Sequence, residues 1–140
     1  MTQPDVWIRT LSGFVAQIES LHTKWDREAG CIWYRGVRAS TFELLPRVIW
    51  DNIDDEDSLV DDFLIHYSPI IGRVISDNWE LYTLMQHHRL PTRLLDWAKS
   101  PLIALYFAVE SSEPPGEGVY RTVWAIDPYA FNEVNHRVDS

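Results

Sequence analysis

Apolar residues recur at helical intervals early in the chain: Phe14, Ile18, Leu21 and Trp25 fall at i, i+4, i+7 and i+11. That stripe on a polar segment predicts a helix over residues 12–28, with Gly30 as its stop. "CIWYRG" at 31–36 is rich in β-formers and closed by Gly36, which predicts a short strand. "STFELLPRVIW" at 40–50 follows no period, and Pro46 forces an extended or turning path at Leu45. The polar run "DNIDDEDSLVDD" at 51–62 reads as a solvated loop, with Asp57 or Ser58 placed to cap the next helix.

Val60, Leu64, Tyr67, Ile71 and Val74 then repeat at helical spacing, with Pro69 expected to kink or split that helix. Residues 78–88 predict a further helix that places Leu81, Leu84, Met85 and His88 on one face. "RLPTRLLDWAK" at 89–99 is a connecting loop with its own apolar anchors. Ser100 and Pro101 form a strong helix start, serine as N-cap and proline at the first helical position. The helix over 102–109 is apolar on every side, which predicts nearly full burial. "SSEPPGEG" is a surface turn, "VYRTVWAID" a strand, and Pro128 opens a short terminal element. These elements define an α+β fold: one helix-rich domain over residues 1–140 with a small sheet of at least two strands.

Composition changes this picture in three respects. Cys31 is the single cysteine, so no internal disulfide forms and a reducing cytoplasm suits the chain. The opening "MTQPDVWIRT" lacks the charged and apolar regions of a signal peptide, and no apolar run is long enough to span a membrane. A net charge of −9 argues against general nucleic-acid binding. That charge is uneven, however: residues 51–62 hold seven of the 21 acids. Arg35, Arg38 and Arg47 face only Glu43 within 33–48, and Arg89, Arg93 and Lys99 face only Asp96 within 85–99. Two locally basic segments therefore sit in an acidic chain, and arginine forks suit carboxylates and phosphates.

Several chemistries fail on spacing. A calcium loop begun at Asp51 would need an oxygen ligand at its third place and glycine at its sixth, which hold Ile53 and Glu56. His87 and His88 are adjacent on a helix and diverge by about a hundred degrees, so one metal ion is hard for both to grip. Ser40, Ser100 and Cys31 lie in no nucleophile elbow. The arginines allow two readings. In one, Arg35 lines an anion-binding pocket beside Gly36, whose missing side chain admits a ligand to the backbone. In the other, Arg35 or Arg93 is locked onto Asp96 as a buried ion pair, with His87 or His88 hydrogen-bonded nearby.

"YRG" (Tyr34, Arg35, Gly36), "LLPR" at 44–47 and "QHHRLPTRLLDWAKSPLIALYFAV" at 86–109 together resemble the FRG domain family. That family carries a (Phe/Tyr)-Arg-Gly motif and a second hallmark similar to Gln-His-(Tyr/His)-Gly-Leu-Pro-Thr-Arg-Leu-Leu-Asp-Trp. "TVWAIDP" at 122–128 resembles its closing strand, so the likeness spans about residues 32–132. Arg89 stands where the family pattern has glycine; a left-handed helix end there would strain an arginine.

A weaker resemblance, to ADP-ribosyltransferases, implies that Arg35 holds a diphosphate of NAD, that His87 or His88 touches the ribose, and that a glutamate polarises a ribose hydroxyl. No Ser-x-Ser strand accompanies it, and Glu110, Glu117 and Glu133 carry no motif. On these resemblances the candidate catalytic residues are His87, His88 and Asp96. The candidate ligand residues are Tyr34, Arg35, Gly36, Gln86, Thr92 and Arg93. Two functions stay open: a cleft for a phosphate-bearing nucleotide such as NAD, or a non-catalytic module with a protein partner and an internal polar lock.

Overall fold

The computed structural model describes residues 6–138 except Ala29 and Pro114, with side chains described as far as residue 133. The architecture is α+β and helix-rich, with a two-stranded antiparallel sheet. The chain forms two compact units, residues 1–43 with 96–140, and residues 44–95.

The first unit is built on the sheet. Strand β1 (Trp33–Val37) pairs with β2 (Thr122–Ile126), placing Arg35 opposite Trp124 and Gly36 opposite Val123. On its other edge β1 exchanges two 2.8 Å hydrogen bonds between the backbones of Tyr34 and Ala98. Ile32 and Tyr34 form the core with Ala104, against Ile18, Leu21 and Trp25 of helix α1 (Leu11–Trp25) and Val123 and Ala125 of β2. The predicted stripe on α1 is thus the face it buries. The helix ends earlier than its spacing predicts, because Asp26 adopts the left-handed cap at φ 51° and takes the place assigned to Gly30. A short polar side chain tolerates that conformation better than most.

Within this chain-order numbering, α2 (Arg47–Trp50), α3 (Glu56–Ile71) and α4 (Asn78–His87) make up the second unit, and α5 (Pro101–Val109) and α6 (Pro128–Val138) belong to the first. Helix α5 begins as predicted, with Ser100 at the N-cap and Pro101 at the first position. The prediction of full burial is overturned. Only Ala104 and Ala108 are buried, while Leu102, Ile103, Tyr106, Phe107 and Val109 are each about half exposed. Gly36 gives the reason. A Cβ there would lie 1.7 Å from the Ala104 carbonyl oxygen and 2.8 Å from the Ala108 nitrogen. Helix and strand meet backbone to backbone, so the contact face of α5 has room only for alanine. Its C-terminal end is closed by Arg121, which donates to the carbonyls of Ala108, Ser111 and Glu113.

The second unit packs α3 against α4 through Phe63, Ile75, Leu81 and Met85, with Leu59, Tyr67, Tyr82 and Leu90 around them. Helix α3 is capped by Asp55, which accepts from the Ser58 amide at 3.0 Å, rather than by Asp57 or Ser58. Pro69 does not split it. Proline falls in the last turn, before Gly72 ends the helix at φ 69°, where one lost hydrogen bond matters little. The stretch predicted to be irregular holds the single turn of α2, begun at Pro46. Arg89 is left-handed at φ 63°, with its amide on the Gln86 carbonyl and the Leu90 amide on the Met85 carbonyl. That is a helix-closing motif that ordinarily takes glycine.

Two substitutions test these placements by urea unfolding. Gly36→Ala is expected to lose about 3 kcal/mol or more, because helix and strand must separate to admit the methyl group. Arg89→Gly is expected to gain about 1 kcal/mol, the relief of left-handed strain less the added freedom of glycine. Equal stability in either variant contradicts the corresponding geometry.

Candidate functional site

The candidate residues divide between the units: Tyr34, Arg35, Gly36 and Asp96 in the first, Gln86, His87, His88, Thr92 and Arg93 in the second. In the first unit Tyr34 points into the core, 1% exposed. Its hydroxyl meets His22 Nε2 at 3.1 Å, and His22 Nδ1 meets the Arg27 carbonyl at 2.9 Å. A carbonyl only accepts, so Nδ1 donates to Arg27, and the same ring holds the Tyr34 hydroxyl through Nε2. Burial raises the Tyr34 hydroxyl above its ordinary pKa. The space that Gly36 leaves is filled by α5, so the close approach it permits is made by a helix.

Arg35 points from the other face of β1. It is half-buried, and its Nη1 donates to the main-chain carbonyl of Asp96 at 2.6 Å. Burial pulls its pKa below the ordinary arginine value, and the Asp96 charge pulls the other way. The guanidinium stays protonated, as arginine always does in proteins. The hydrogen bond thus falls on the aspartate's backbone, whereas the ion-pair reading placed it on the carboxylate.

In the second unit Arg93 closes onto Glu56, at 2.7 Å from Nε and 2.5 Å from Nη2. The Arg93 amide adds a third contact to the same carboxylate at 3.2 Å. Arg93 therefore pairs with an acid of the run that reads as solvated, not with Asp96. The Glu56 side chain is 11% exposed, against 59% for Arg93. Thr92 is buried, and its hydroxyl accepts from the Leu94 amide at 3.3 Å. Gln86 Nε2 donates to the Leu94 carbonyl at 3.4 Å. His87 and His88 are exposed, their rings perpendicular with centroids 5.5 Å apart. His88 sits edge-on to Tyr67 at 5.0 Å and tilted to Phe63 at 6.0 Å.

An open hollow of about 270 Å³ lies beside Arg93, lined by Val48, Ile53, Asp54, Asp55, Glu56 and Asp57. Four acids against one paired arginine make it unsuited to a phosphate. Ser58 hydrogen bonds hold the Asp55 carboxyl below its usual value, so that wall remains charged. Among the described residues no cluster of histidine, cysteine and acids could hold a metal ion.

Sequence reasoning missed two contributors. Glu56 looked like one acid among many, and only the fold shows which acid turns inward. Asp127 caps α6 by accepting from the Tyr129 and Ala130 amides, and its second oxygen takes Arg27 Nε at 2.6 Å. The Asp-Pro pair was its visible signal, since aspartate then proline is a helix start.

These features describe a small α+β domain with two arginine-bearing motifs, one tied to a sheet edge and one to a helix start. The FRG domain family model matches residues 30–117, more than half the chain, and the chain belongs to that family. No curated protein and no solved structure matches it. Among the described residues no helix is long and apolar enough to cross a membrane.

The Arg27–Asp127 pair makes stability depend on pH. The Arg27 hydrogen bond holds the Asp127 carboxyl below its ordinary range, helped by the two amides it caps. A lowered folded pKa means the stabilisation is complete above about pH 4 and is lost as pH falls through the lower folded value. Asp127→Asn keeps the cap, so melting curves should separate from wild type at neutral pH and converge below about pH 4. A constant gap across that range contradicts the assignment.

Proposed function

We propose that this FRG-domain chain works as a non-catalytic interaction or regulatory module of the cytoplasm, its motif residues serving as an internal polar lock. One observation carries this reading: the guanidinium of Arg93, which should be open to receive a ligand, is closed by the largely buried carboxylate of Glu56. Tyr34, Gly36 and Thr92 support it, since each is engaged within its own unit. Neither His87 nor His88 is oriented by a carboxylate among the described residues, as a general base normally is.

Two experiments test the lock. Arg93→Ala and Glu56→Ala should each lower the melting temperature, with the double variant losing clearly less than the sum of the two. Strict additivity contradicts a lock. Incubation with labelled NAD and a lysate should give neither transfer nor nicotinamide release, and either product overturns the non-catalytic reading.

A second reading is favoured by Arg35 alone. Its guanidinium is half-buried, and among the described residues it donates to a single backbone carbonyl, which leaves donors for a phosphate-bearing nucleotide such as NAD, with ADP-ribosyltransferase-like or glycohydrolase chemistry as its catalytic form. In that case nucleotides should raise the melting temperature of the native chain and leave an Arg35→Gln variant unmoved.

A further inference from the structure

Arg35 and Trp124 stand directly opposite each other across the β1–β2 ladder. Their side chains therefore leave the same face of the sheet, with Cβ atoms about 5 Å apart. Val123 and Ala125 point the other way, into the core with Tyr34. On the Arg35 face the Trp124 Nε1–H is buried and has no hydrogen-bond partner among the described residues. A buried donor without an acceptor loses its hydration for nothing, and such orphans are rare in folded proteins.

The neighbouring group cannot supply what the indole lacks. Indole and guanidinium both donate only, so neither satisfies the other. Of the five N–H groups of Arg35, one is used among the described residues, on the Asp96 carbonyl. No described residue accepts from the indole, which leaves this pair of donors open to an acceptor from outside, and the positive charge beside the indole selects an anion over a neutral group. We propose that Arg35 and Trp124 form an oxyanion site: a phosphate or carboxylate oxygen takes the Trp124 Nε1–H while a second oxygen of the same group takes the free edge of Arg35. The partial desolvation that lowers the Arg35 pKa strengthens its pull on such a group. The charge of Asp96 acts on Arg35 as well and opposes the anion, which sets the affinity low. The site rests on the second reading of Arg35 and adds to it a residue and a ligand class.

The test follows the indole N–H resonances of the intact, nitrogen-15-labelled chain during titration with inorganic phosphate, AMP or acetate. The Trp124 signal is identified by its loss in Trp124→Phe, or by sequential assignment of the native chain should that variant not fold. At least one anion should move that signal saturably, and Arg35→Gln should weaken the response about tenfold or more. Arg35→Lys, which keeps the charge and loses the fork, replaces Gln if the latter does not fold. AMP binding more tightly than phosphate identifies a nucleotide source, equal binding identifies a free phosphate, and acetate alone identifies a carboxylate. A Trp124 signal unmoved by all three, or moved equally in the Arg35 variant, overturns the proposal. Anions that raise the melting temperature through Arg35 but leave the indole unmoved retain the Arg35 reading and remove this one.

Discussion

Two backbone hydrogen bonds between Tyr34 and Ala98, each 2.8 Å long, fix the first unit. They join segments some sixty residues apart in the chain, and much else follows from that junction. With Ala98 beside Tyr34, the Asp96 carbonyl comes within reach of Arg35, and the helix start at Ser100 and Pro101 falls where α5 must cross β1. The crossing is possible because residue 36 has no side chain and residues 104 and 108 have the smallest ones. The Tyr-Arg-Gly motif thus has three jobs within five residues of strand: a core ring, an outward cation and a gap for a helix.

The second unit solves a different problem. An acidic stretch next to a helix start would repel itself, and it is organised by giving three of its acids fixed partners, the first being Asp51, which takes Arg47 Nε at 3.0 Å. Asp55 takes the amide of Ser58 as a cap, and Glu56 takes Arg93. The loop that carries Arg93 is pinned from within by buried Thr92 and by the strained turn at Arg89. An arginine in a glycine position costs local stability, while its carbonyl accepts from Arg47 at 3.1 Å.

Most of the elements were legible in the order of residues, although the single turn of α2 and the start of α3 within the acidic run were not. The stripe from Phe14 to Trp25 is the buried face of α1, the two β-rich runs are the two strands, and the left-handed turn at Arg89 stands where glycine was expected. Local signals sufficed because β-branching and periodicity act over a few residues, whereas two of the caps fall on Asp26 and Asp55 rather than on the residues assigned. Burial of α5 was misread for the opposite reason. Its side chains are apolar all round, and only the position of Gly36 on a distant strand decides that the alanines face inward. The partner of Arg93 was equally invisible: among seven neighbouring acids, spacing cannot say which one turns toward a loop 37 residues on. Trp124 drew no notice as a candidate because its relation to Arg35 exists only through strand register.

Amide hydrogen exchange reads the central junction directly. If the Tyr34–Ala98 pair organises the first unit, both amides should exchange only through global unfolding and rank with the slowest in the chain. Exchange of either at the rate of a surface loop would show that the two motifs are not stitched together and would contradict the account.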